Sequence, residues 1–206
     1  MKLAIIGTAG RNEDSVRLAS NPKHYYTRML DCARYVAKLV GADTLVSGGA
    51  AWADFSAIAL YLEDPTRYGL ILHVPESLCI DASKGTVFLD TGELNWRLNP
   101  GGTANHYLRQ FAEQCAPFMG DGFPYKQYGQ IRSDSRVPKG LTRGFKERNF
   151  EVAKADHCLA MTFGNKAQLK DGGTAHTMSA FLAREGHGQA FHLDLNTLTL
   201  YKGARI

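Results

Sequence analysis

Three apolar runs in this sequence stop at glycines. Gly7-Thr8-Ala9-Gly10-Arg11 follows the first, Ser47-Gly48-Gly49-Ala50 the second, and Gly172-Gly173-Thr174 lies a short loop beyond a later one. Glycine lets backbone come close to a ligand, and a turn that opens a helix leaves amides directed outward, where an anion is favoured. Phosphate is the chemistry these turns could do. Arg148, with Asn149 beside it, supplies the cation to clamp it. Candidate ligand-binding residues are therefore Gly7, Thr8, Gly10, Arg11, Ser47, Gly48, Gly49, Ala50, Asp54, Asn149, Gly172, Gly173 and Thr174. If a reaction follows binding, it is at C1′ of a nucleoside phosphate, with Arg148 on the phosphate and a carboxylate at the sugar. Glu76 and Asp171 are the acids chosen for that role; Asp54 and Glu147 also fall near strand ends, where they equally suit a helix's first turn.

Other chemistries find no support. The four cysteines form no CxxC pair and the seven histidines no HxxxH pair, so neither a metal nor a redox dithiol is expected, and no cofactor is called for. No GxxxxGK[ST] segment is present, and the first turn does not read GxGxxG, which weakens kinase, ATPase and common dehydrogenase readings.

The elements that must position these residues follow from periodicity. Short apolar runs at 3–6, 44–47, 70–74, 158–163 and 190–193 read as strands. Helical stripes lie between them, over Met29 to Val40, Phe55 to Leu62, Phe150 to Ala153 and Met178 to Leu182. Strands alternating with helices predict an α/β fold, a Rossmann-like sandwich with a mostly parallel sheet. The alternation lapses at about 80–145, which reads as an insertion after the third strand: a hairpin over GTVFLDTGELNW, a helix over ANHYLRQFAEQCAPF, then turns. Within one domain spanning 1–206, such an insertion would cover the crevice at the carboxyl ends of the strands. Trp52 fits either a wall against a base or packing beneath that insertion.

The ordered segments MKLAIIGTAGR, TLVSGGAAWADFSAIAL, ERNFEVAKADHCLAMTFG and DGGTAHTMSAFLAREG resemble the SLOG superfamily, which includes DprA, the LOG phosphoribohydrolases and YspA-type proteins. Gly48-Gly49-Ala50-Ala51-Trp52-Ala53-Asp54 matches the GGAxGAD pattern of YspA-type members, Arg148-Asn149 their RN, and Gly173-Thr174 their GT. The resemblance covers residues 1–76 and 146–195. It implies a Rossmann-like fold that binds ADP-ribose-type signals, cleaves nucleoside monophosphates or binds single-stranded DNA. One departure stands out: LOG enzymes read PGGxGTxxE, and Thr177 occupies the glutamate position here.

Composition bounds the partners. Hydrophobic residues at 44% and charged residues at 21% are the mix of a globular protein, with no apolar run long enough to span a bilayer and no signal-peptide pattern, so a cytoplasmic protein is expected. From 122 to 148 seven bases face two acids, with Phe123, Tyr125, Tyr128 and Phe145 among them, in a chain whose total charge is only +4. A basic aromatic flap over one nucleotide fits that pattern; a nucleic acid is the lesser candidate, because the rest of the chain offers a long strand little charge to follow. The expected partner is a nucleotide-derived small molecule, and self-association is left open.

Overall fold

A computed structural model describes residues 1–169 and 172–204. Its main sheet has seven strands: β1 (Lys2–Gly7), β2 (Thr44–Ser47), β3 (Gly69–Val74), β6 (Lys139–Leu141), β7 (His157–Thr162), β8 (Ala190–Asp194) and β9 (Thr199–Lys202). Their spatial order is β6-β3-β2-β1-β7-β8-β9, with only β9 antiparallel. β4 (Leu78–Asp81) and β5 (Thr86–Phe88) form a separate hairpin. The helices are α1 (Glu13–Ser20), α2 (Pro22–Leu39), α3 (Phe55–Glu63), α4 (Pro100–Met119), α5 (Tyr125–Ser133), α6 (Gly144–Val152) and α7 (Gly173–Leu182). This is the Rossmann-like α/β sandwich that the strand and helix pattern predicts.

The central strand shows why both faces are covered. Leu3 and Ile5 enter one buried cluster with Met29, Phe55 and Phe111, while Ala4 and Ile6 enter a second with Val152, Met178 and Phe181. A strand buried on both sides must be apolar at every position rather than at alternate ones, and LAII is. The larger first cluster holds α2, α3 and α4; α6 and α7 close the other face.

The chain builds β1, β2 and β3 outward to one side, then returns across the sheet to β7 and β8 on the other. Between the carboxyl ends of β1 and β7 the two halves diverge, which leaves a crevice at that switch point.

The insertion differs from its sequence reading in three ways. Its hairpin pairs Leu78 with Phe88 and Asp81 with Thr86, about one strand earlier than GTVFLDTGELNW suggests. The cause is the Asp81 carboxylate, which accepts from the amides of Ser83 and Lys84 and folds the turn there. Downstream, Asn99 donates to Asp90 and to the Glu93 carbonyl and accepts from Gly102 at the head of α4, so 89–99 is a pinned loop. Finally, β6 brings the chain back to the main sheet beside β3, with Leu72 opposite Lys139, inside the stretch read as insertion. The helix over 104–118 is present as α4, two turns of which lie against the core through Leu108, Phe111 and Cys115.

Candidate functional site

The crevice at the switch point holds a cavity of about 280 Å³. All three glycine turns reach it, through Gly7 and Thr8, Gly48 and Ala50, and Gly172, Gly173 and Thr174; Arg11, Asp54, Arg148 and Asn149 line it as well.

Each turn is built differently. At the end of β1, a Cβ on Gly7 would stand 2.6 Å from that of Ala53 and overlap the Met161 carbonyl oxygen, so glycine is required where sheet and helix start converge. The Thr8 hydroxyl donates to Asp14 Oδ2 at 2.7 Å and accepts from the Gly10 amide at 3.1 Å, which fixes the loop. After β2, Ser47 Oγ donates to the Asp54 carbonyl and accepts from the Gly49 amide. Gly48 then lies between two charges: an added Cβ would sit 2.8 Å from Asp54 Oδ2 and 2.9 Å from Arg148 Nε. The third turn opens α7, whose first amides lack intrahelical partners by construction. Thr174 Oγ1 donates to the Gly7 carbonyl at 2.9 Å, tying this turn to the first.

Charge in the cavity is unevenly compensated. Burial raises the Asp54 carboxyl above its ordinary value, against the pull of the Arg148 guanidinium and of the Ala50, Gly7 and Gly48 amides, which favour the anion. Burial likewise lowers Arg148; Asp54 opposes that shift and the neighbouring positive charge of Arg11 adds to it. Among the described residues, neither arginine has a carboxylate within ion-pair distance. The Phe145 ring lies 5.1 Å from Arg148 Cζ and 5.8 Å from Arg11 Cζ, and the Tyr107 ring lies 5.2 Å from Arg11 Cζ. Two cations that share a ring neighbour, beside three sets of backbone amides, suit an anion with several oxygens.

No family model matches the sequence. A search of curated proteins finds the uncharacterized protein R261 of Acanthamoeba polyphaga mimivirus, 30% identical over 183 residues that make up 86% of this chain and 88% of that protein. The chain belongs to the family of R261. The aligned length takes in most of the chain, so the likeness extends over the fold rather than one segment of it.

Not every residue expected at the site reaches the cavity. Ser47 is fully buried and serves the loop, Gly10 faces the Trp52 indole, and Gly49 turns toward Val74 with its carbonyl accepting from Tyr128. Glu76 lies apart, its carboxylate accepting from the Ser77 amide and its stem against Gly101. Asp171 lies outside the described residues. Trp52 packs beneath the insertion, 1% exposed and 4.9 Å from Phe111, so it walls no ligand. Phe123 and Tyr128 are buried in the same aromatic core, which leaves Phe145 as the one ring of the four expected in the flap that lines the cavity.

The structure adds residues that spacing did not single out for the site. Asp14, in the first turn of α1, brings a second carboxylate to the cavity; Tyr107 arrives from α4, and Thr162 from the end of β7. Thr162 Oγ1 lies 2.9 Å from His192 Nε2, while His192 Nδ1 lies 2.7 Å from the Lys166 carbonyl. A carbonyl only accepts, so a proton is on Nδ1, and in the neutral ring Thr162 donates to Nε2. An acid six residues after Thr8 was a readable signal for Asp14; nothing local marks Tyr107, whose place depends on how α4 crosses the sheet.

Proposed function

We propose that this protein binds a nucleotide or nucleotide-derived ligand, a nucleoside phosphate or ADP-ribose-like molecule, with its phosphate on the glycine turns and Arg148, as a member of the SLOG superfamily. The observation that carries the reading is the convergence of three glycine turns, spread over more than 160 residues of sequence, and an arginine that has no ion-pair partner among the described residues on one cavity at the switch point. At about 280 Å³ the cavity lies just below the ~300–1,000 Å³ usual for small-molecule sites, so it suits the sugar phosphate of a nucleotide, and the rest of the ligand would extend across the rim.

A ligand that binds only the folded protein raises its apparent stability, by about 2.7 kcal/mol at a concentration one hundred times its Kd. AMP, GMP, ADP-ribose and cyclic nucleotides should therefore include at least one that raises the melting temperature. Gly173→Asp is the informative variant: the nearest atom to an added Cβ is Asn149 Nδ2 at 3.7 Å and the backbone needs no left-handed conformation, so the new carboxylate enters the phosphate position without disturbing the fold. It should abolish the shift at unchanged basal stability. A flat response across the panel would remove the proposal.

Cleavage at C1′ is the second reading, favoured by the two carboxylates, Asp14 and Asp54, on the cavity wall. Free base released from nucleoside monophosphates, and lost in Asp14→Asn or Asp54→Asn, would make this an enzyme.

A further inference from the structure

The loop between β5 and α4 leaves its large side chains in solvent: Leu94 is fully exposed, Leu98 largely so, and Trp96 is 49% exposed. Of these, Trp96 is the one in contact with the cavity wall. Its ring centroid lies 6.3 Å from that of Phe145, the residue whose other neighbours are Arg148 and Arg11. A single ring thus bridges the step from the cations to an open indole. Over that indole rests the Arg97 guanidinium, 4.4 Å from the ring centroid.

We infer that Trp96 is the platform for the base of the bound nucleotide. The inference rests on the phosphate reading above and adds to it a subsite that the insertion supplies. An exposed cation over an indole is a weak contact, whereas an aromatic base stacked on the same face gains both dispersion and desolvated area. A base can therefore displace Arg97 from the indole. Every base has a flat face, so Trp96 sets a requirement for a base without selecting its identity. The position of Trp96 outside the lining fits the small cavity: the sugar phosphate lies inside and the base on the rim.

The two tryptophans make the test direct, because Trp52 is 1% exposed and Trp96 is the one iodide can reach. AMP should quench the iodide-accessible fluorescence and shield it from iodide, while ribose 5-phosphate, which has no base, should do neither although it binds. By calorimetry, Trp96→Ala should weaken AMP about 5- to 150-fold, the equivalent of ~1–3 kcal/mol for one stacked base, and leave ribose 5-phosphate unchanged. Trp96→Phe should retain most of the AMP affinity, since a ring remains. Equal AMP affinity in wild type and Trp96→Ala, with iodide access unaltered, would overturn the inference while leaving the phosphate site intact. An oligonucleotide that shields Trp96 when AMP does not would overturn it in favour of a polymer. If neither AMP, ribose 5-phosphate nor inorganic phosphate shifts the melting temperature, the phosphate reading itself has failed.

Discussion

His192 is buried completely, with Nε2 against the Thr162 hydroxyl and Nδ1 against the Lys166 carbonyl, and in the neutral ring the hydroxyl donates and the carbonyl accepts. Burial lowers its pKa, and His73 is lowered for the same reason. In the unfolded chain a histidine protonates near pH 6.5. As pH falls through that value the unfolded state takes up protons that the folded state does not, so stability present above pH ~6.5 is lost on the acid side. Each such histidine contributes at most about 1.4 kcal/mol per pH unit in that window. His192→Asn keeps a donor for the Lys166 carbonyl and cannot titrate; denaturant melts at pH 7.5, 6.5 and 5.5 should show a shallower acid loss than in wild type. An unchanged slope would mean that folding does not shift the titration of His192. At this scale the sequence was readable wherever a residue acts through its backbone, as Gly7, Gly48 and Gly173 do. It was misleading at Gly49 and Gly10, whose roles depend on which way a turn faces. It was silent on Thr162 and His192, thirty residues apart, because their meeting is set by strand register.

Between elements, α5 props up the second glycine turn. Tyr128, fully buried, donates to the Gly49 carbonyl at 2.8 Å, and burial holds its phenol well above the ordinary value, so it stays a donor. Tyr128→Phe leaves that carbonyl unsatisfied in the core and should cost about 1–3 kcal/mol by chemical denaturation. Because Gly48 is the next residue, a lower affinity for any phosphate ligand should accompany it; a stability loss with affinity unchanged would show that the turn holds its shape alone. The strands with continuous apolar runs, β1, β2, β3, β7 and β8, were legible, as were α2, α3 and α4, whose stripes keep helical spacing over two or more turns. β6 reads only Lys139-Gly140-Leu141 and takes its place from β3, so no local pattern announces it. In α1 and α5 only two residues each are buried, too few to leave a stripe, and both helices are held by what they pack against.

Across the whole molecule, the insertion is part of the core and part of the site at once. Phe111 of α4 packs against Trp52, Phe55 and Phe123, so the segment that supplies Tyr107 and Trp96 to the rim also closes the larger hydrophobic cluster. No helix among the described residues is long and apolar enough to cross a membrane. Charge divides along the same lines. The basic stretch 122–148 looked like one flap in sequence, but folding separates it: Arg136 is bonded through two nitrogens to Asp134, which it holds well below the usual carboxylate range with help from Tyr61, and Lys139 donates to the Asp134 carbonyl. None of Arg132, Arg136 and Lys139 lines the cavity, whereas Arg148 does. A polynucleotide following the stretch would engage several of these bases and weaken with salt, at a slope of about −0.7 per phosphate neutralised on a single strand. Of the bases in this stretch, one bound nucleotide would feel Arg148 alone. Replacing Arg132, Arg136 and Lys139 together by alanine should accordingly leave AMP affinity within a few-fold, while Arg148→Ala should lose about 1.5–3 kcal/mol, the range for a hydrogen bond to a charged group. Calorimetry with AMP and anisotropy with a labelled single-stranded oligonucleotide, each at two salt concentrations, separate the cases. Oligonucleotide binding at physiological salt that vanishes in the triple variant would transfer the function of the basic stretch from a small molecule to a strand.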